Sequence, residues 1–127
     1  MTEENQSSEE PERGTAPLSI RLRLGGTARI GPGKVALLEA IASCGALPEA
    51  ARLMGMSARR AWLLIDSLNQ VFDQALVTRE SESDRLRLTP LGEELIRAYR
   101  TVEKVTEAEV AQQFAGMTAR LAKSPVP

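Results

Sequence analysis

The sequence predicts a mainly α-helical domain with one small β-hairpin, ending in one long helix. Three observations predict it. Apolar residues recur at helical spacing in three of four helical segments, and the short second one is bounded by Pro48 and Gly55. A tight glycine-containing turn, Met54-Gly-Met-Ser57, joins the second segment to the third. Two short alternating runs, Leu76-Val-Thr-Arg79 and Arg85-Leu-Arg-Leu88, flank the polar stretch Glu80-Ser-Glu-Ser-Asp84.

The chain has 127 residues, 43% apolar and 26% charged, enough for one domain with tails. Residues 1–17 are rich in Glu, Ser, Pro and Thr and lack the apolar surface that would offset ordering entropy, so they are expected to form a disordered acidic tail. Five glutamates face one arginine there, a balance of −4. The remainder holds 15 basic and 12 acidic residues, so it is +3 within an overall charge of −1. A mildly basic body suits a polyanionic partner but does not demand one.

Order is expected from residue 18. Leu18, Ile20, Leu22 and Leu24 alternate with Ser19, Arg21 and Arg23, the pattern of a half-buried strand ended by Gly25-Gly26. Pro32 suits the first turn of a helix in which Val35, Leu38, Ile41 and Ala42 recur before Gly45. A short helix comes next, from about Pro48 to Met54, with Gly55 as its stop. Ser57 is a good N-cap for a third helix, Ala58 to about Phe72, whose inward stripe is Ala61, Leu64, Ile65, Leu68 and Phe72. Thr89-Pro90 starts a fourth helix, expected over residues 90–123, before a short tail at 124–127.

Strand, helix, helix, tight turn, helix, hairpin, helix is the order of a winged helix-turn-helix, here predicted over residues 18–89 with a long C-terminal dimerisation helix. Gly55 can take the left-handed conformation that reverses the chain, and small Ala51 lies where the two helices would cross. The first residues of the third helix would meet base edges in the major groove: Ser57, Ala58, Arg59 and Arg60. Two such arginines can hold guanine bidentately or grip phosphates, although a pair of this kind also occurs as a solvated face. Lys34 and the wing residues Arg79, Arg85 and Arg87 are candidates for the phosphate backbone. Glu80, Glu82 and Asp84 could neutralise the wing. Trp62, the single tryptophan, flanks the buried stripe and is expected in the core.

Arg29-Ile-Gly-Pro-Gly-Lys34, Leu37-Leu-Glu-Ala-Ile41, the run from Ala50 through Met54-Gly-Met-Ser-Ala-Arg-Arg-Ala-Trp62 to Asn69, and Leu88-Thr-Pro-Leu-Gly92 resemble the DNA-binding domain of ModE-type molybdate-responsive transcriptional regulators. Such domains are related to the DNA-binding heads of LysR-type regulators. The resemblance covers about residues 18–100. It implies a homodimeric winged helix in which Ser57, Arg59 and Arg60 read DNA. Three departures stand out. Ala58 replaces the tyrosine usual in the family, the wing is shorter and more acidic, and no segment after Tyr99 resembles an oxyanion pocket. Molybdate is therefore not expected to bind this chain.

In the last helix Leu91, Leu95, Ala98, Val102 and Val105 step by four and three, and Val110, Phe114, Met117 and Leu121 repeat the step after a shift. Leu95, Val102, Val105, Val110, Phe114, Met117 and Leu121 are expected to pair with a second copy. The alternative is a monomer in which this helix folds back as a further core element.

Catalysis finds little support. There is no histidine, and one cysteine without clustered carboxylates leaves no metal site by spacing. Gly31-Pro-Gly-Lys34 lacks the spacing of a phosphate loop. Cys44, late in an apolar helix, is expected to be an inert core residue. With no apolar run near 18 residues and no secretory signal, the expectation is a cytoplasmic regulator that binds double-stranded operator DNA as a homodimer, with no cofactor. The competing expectations are an adaptor that pairs with another regulator, and a sequence-independent nucleoid binder.

Overall fold

The computed structural model describes residues 18–26, 28–81 and 83–122. The expected acidic tail at 1–17 and the short tail at 124–127 lie outside the described residues. The chain divides into a main unit, Ile20–Thr101, and a second unit that takes in residues 102–122.

The main unit begins with an antiparallel hairpin, β1 (Leu22–Gly25) and β2 (Ala28–Ile30), in register Leu22↔Ile30 and Arg23↔Arg29. The strand expected over 18–24 is thus shorter and starts later, and β2 is an addition to the expected elements. Ile20 and Leu22 pack against the core, but the register shifts between Arg23 and Gly25 and leaves Leu24 exposed. A bulge of this kind breaks the two-residue period that the sequence suggests.

Helix α1 (Pro32–Cys44) buries Val35, Leu37, Leu38, Ala40 and Ile41, and Gly45 closes it at φ 68°, its N–H donating to the Ile41 carbonyl. Cys44 is half-buried rather than a core residue. Helix α2 (Leu47–Leu53) comes at once after it. The turn that ends α2 is held by hydrogen bonds from Gly55 N–H to Arg52 O (3.1 Å) and Met56 N–H to Ala51 O (3.0 Å). Gly55 sits at φ 69°, where a side chain would add strain. Ala51 is buried at the crossing and Met56 packs against the core from inside the turn.

Helix α3 (Ala58–Asn69) buries Ala61, Ile65 and Leu68, and Leu64 and Trp62 pack half-buried against the same core. It ends three residues before Phe72, at a side chain that anchors the next strand. The Asn69 carboxamide accepts from the Leu76 and Val77 N–H groups (2.8 and 3.0 Å) and donates to Val77 O (3.0 Å). It thereby starts strand β3 (Val77–Arg79), which pairs antiparallel with β4 (Leu86–Leu88). A bridge between Ala46 and Arg85, with Leu86 N–H donating to Gly45 O (3.0 Å), ties the hairpin to the α1–α2 corner.

Thr89 caps helix α4 (Pro90–Gln113) as the sequence predicts: its hydroxyl accepts from Gly92 N–H (3.1 Å) and donates to the Ala75 and Leu76 carbonyls. A Cβ on Gly92 would overlap the Leu76 carbonyl oxygen, so only glycine lets the helix lie this close to the strand. The buried stripe here is Gly92, Leu95 and Tyr99; of the expected apolar steps, Ala98 is exposed and Leu91 half-buried. Tyr99 donates its hydroxyl to Ile20 O (2.6 Å), tying α4 to the first ordered segment, and Arg100 makes a bidentate pair with Glu39 of α1.

Beyond Thr101, α4 continues to Gln113, and a single turn, α5 (Ala115–Thr118), succeeds it. The expected continuous helix over 90–123 is interrupted at Phe114, whose φ −105° and ψ 8° are not helical. Gly116 lowers helix propensity in this stretch by about 1 kcal/mol.

Candidate nucleic-acid interface

The corner built by α2, the Gly55 turn and α3 presents the front of α3 to solvent. Ser57 adopts an extended conformation, φ −72° and ψ 158°, and its hydroxyl accepts from the Arg60 N–H (3.1 Å). The side chain therefore satisfies one of the orphan donors of the helix start. With its cap fixed, the next residues can turn outward. Ser57, Ala58, Arg59 and Arg60 are all exposed, and among the described residues neither Arg59 nor Arg60 forms an ion pair.

Two cations placed at the positive end of a helix carry a cost in the folded protein, since the peptide dipoles oppose them. No carboxylate lies in the first turn of α3 to relieve it. An anion arriving from outside would meet both guanidinium groups and the free N–H groups of the first turn together.

The wing is different. Arg79 lies 3.6 Å from Asp84, donates from Nε to Ser83 O (2.7 Å), and stacks 5.1 Å from the centre of the Trp62 ring. Arg85 lies 3.6 Å from Glu80. Two of the three wing arginines expected at the phosphate backbone are thus engaged within the chain, by carboxylates of the turn between them. Arg87 is exposed, and among the described residues it forms no ion pair. Lys34 donates to the Arg29 carbonyl (3.0 Å), so its ammonium is partly committed.

A second basic surface does not stand out in the sequence. Arg23 stands opposite Arg29 across β1 and β2, Arg21 is exposed beside them, and no acidic residue occurs between Arg13 and Glu39. Like charges directly opposite on a sheet are destabilising. The available signal is that gap in the acidic residues, but the arginines read only as the polar side of a strand.

Of the residues expected to dimerise, Leu95 is 9% exposed and belongs to the main unit's own core. Leu95 is therefore a core residue of its own chain and not a pairing residue, because it falls on the same helical face as Gly92 and Tyr99. Val102, Val105, Phe114, Met117 and Leu121 are exposed, Val105 by 65% and Leu121 by 73%, and Val110 is half-buried. An open hollow of about 370 Å³ lies between α1, β4 and α4, lined by Ala42, Ser43, Leu88 and Ile96 with Glu39, Glu93 and Arg97. Among the described residues no cluster of three or more metal-ligating groups occurs, and no helix is long and apolar enough to cross a membrane.

Helix, glycine turn and capped helix, with a β-hairpin after them, define a winged helix-turn-helix domain, with an exposed basic start to its second helix. Residues 33–93 match the family of bacterial regulatory helix-turn-helix proteins of the lysR type, and this segment is a LysR-type helix-turn-helix domain that is ModE-like in sequence. The chain is 34% identical over 88 residues to the molybdenum-pterin-binding protein MopA of Rhodobacter capsulatus, covering 67% of this chain and 33% of that protein. It is 38% identical over 79 residues to MopB of the same organism, covering 60% of this chain and 29% of that protein. With the molybdenum transport protein ModE of Herbaspirillum seropedicae the identity is 34% over 97 residues, 74% of this chain and 35% of that protein. The matched part spans about a third of the length of these relatives.

Proposed function

We propose that this chain is a transcription regulator that binds double-stranded operator DNA as a homodimer, with α3 in the major groove. Arg59 and Arg60 carry the reading: they are exposed, free of ion pairs among the described residues, and placed at the start of the second helix of a helix-turn-helix. In this reading Ser57 and Ala58 approach base edges beside them, and Lys34 and Arg87 contribute to the backbone. Arg79 and Arg85 contribute less, because a phosphate must compete with Asp84 and Glu80 for them.

The exposed apolar positions Val102, Val105, Phe114, Met117 and Leu121 support pairing with a second copy, which would present two α3 helices to a palindromic site. The self-paired wing favours one other reading, an adaptor that pairs with a different regulator. Sedimentation of the purified chain separates the two: a dimer supports the first, and a monomer that pairs only with another protein supports the second. The test of the site itself is the double variant Arg59→Ala, Arg60→Ala. It should weaken specific binding by about 30-fold or more, from roughly 1–3 kcal/mol per bidentate contact, with a melting temperature equal to or slightly above that of the native chain, since two cations leave the positive end of the helix. Retained affinity would refute the assignment. Binding should also fall steeply with added salt through counterion release.

A further inference from the structure

The outer face of α3 carries one large apolar side chain that the core does not use. Ala61, Ile65 and Leu68 are fully buried, and Leu64 and Trp62 pack against the same core. Leu63 is 54% exposed. It lies four residues after Arg59, so the two share a helix face and stand about 6 Å apart along the axis. The remainder of that face is polar, with Asp66, Ser67 and Gln70 exposed and Gln70 donating to Asp66 (3.4 Å).

A lone surface leucine is ordinary. This one is set apart by its position, one turn behind a free arginine on the face the domain offers to a groove. We propose that Leu63 is a base-reading residue that takes the 5-methyl group of a thymine, an inference that rests on the DNA-binding reading above. On the major-groove edges of the bases the thymine methyl is the apolar group, and the other distinguishing groups are hydrogen-bond donors and acceptors. Leucine can hydrogen-bond to none of those. It therefore selects in two ways: by burying the methyl, and by leaving a cytosine amino group or a guanine carbonyl without a partner if either takes that place. At about 6 Å from Arg59 it would meet a base pair within two steps of the one that Arg59 reaches, since successive pairs rise by about 3.4 Å. The site read by α3 would thus pair a guanine with a nearby thymine.

The probe is a duplex enriched by the full chain from a random-sequence pool, then resynthesised with deoxyuridine in place of each thymine in turn, which removes only the methyl group. For the native chain, one thymine per half-site should show a loss of about four-fold, the contribution of one buried methyl-sized group. Leu63→Ala should bind the unmodified duplex more weakly by a similar factor and be insensitive to that one replacement. Leu63→Gln, which can hydrogen-bond, should shift the preferred base there toward adenine. Both variants should melt where the native chain does, because the side chain lies outside the core. Equal deoxyuridine penalties in the native and Leu63→Ala chains at every thymine, or an unaltered preference in Leu63→Gln, would overturn the assignment and leave DNA binding standing. If the native chain enriches no sequence at all, the DNA-binding reading fails and this one with it.

Discussion

The front of α3 and the wing use the same side chain in opposite electrostatic situations. At the front of α3, Arg59 and Arg60 stand beside a capped helix end, with no acidic residue in the first turn. In the wing, Arg79 and Arg85 meet Asp84 and Glu80 across the turn of their own hairpin, and Arg79 also rests on Trp62. Counting arginines would rank the two regions as equals. What separates them is the nearest carboxylate: a surface cation that already has one offers an incoming phosphate less than a cation that has none.

The sharpest way to break this comparison is to truncate both regions. Against the large loss expected for the α3 double variant, Arg79→Ala combined with Arg85→Ala should weaken operator binding less than five-fold in a gel-shift titration, because each of these arginines only trades a carboxylate for a phosphate on binding. A larger effect would mean that the wing arginines leave their carboxylates readily when DNA arrives. The next effect is on the frame that holds the two regions together. Asn69→Ala removes three hydrogen bonds between the end of α3 and β3, and should lower unfolding free energy by about 2 kcal/mol in urea titrations.

A smaller change should come from freeing the wing. Glu80→Gln with Asp84→Asn leaves Arg79 and Arg85 without their carboxylates, and operator affinity should rise by about three- to ten-fold, with a steeper salt dependence as up to two more phosphates are engaged. An unchanged salt slope would place the wing away from the duplex. The smallest effect is assigned to Arg100→Ala. Its pair with Glu39 is bidentate but more than a third exposed, so solvent screens it and the destabilisation should be no more than about 0.5 kcal/mol.

The helices are legible in the sequence because their causes are local. Pro32, Gly45, Gly55, Ser57 and Thr89 each act through hydrogen bonds or dihedral angles within a few residues, and each marks a boundary at or beside the one observed. Strand β2 is not legible, since three residues with Ile30 as the single buried one are too short to show a period. The end of α4 escapes periodicity for a related reason. The apolar steps run on through Phe114 to Leu121, and spacing alone does not reveal that the backbone leaves the helix at Phe114. Asn69 gives no signal, because its partners at 76 and 77 are brought to it by the loop between.

By itself, the sequence determined the order of elements, the corner between α2 and α3, and which residues start the outward-facing helix. All of these come from caps, turns and periodicity, which are short-range. Only the folded chain decided that Arg79 stacks on Trp62 and that Leu95 belongs to the core. Each of those depends on groups distant along the chain meeting in space, and a side chain's availability is set by the neighbour that reaches it first.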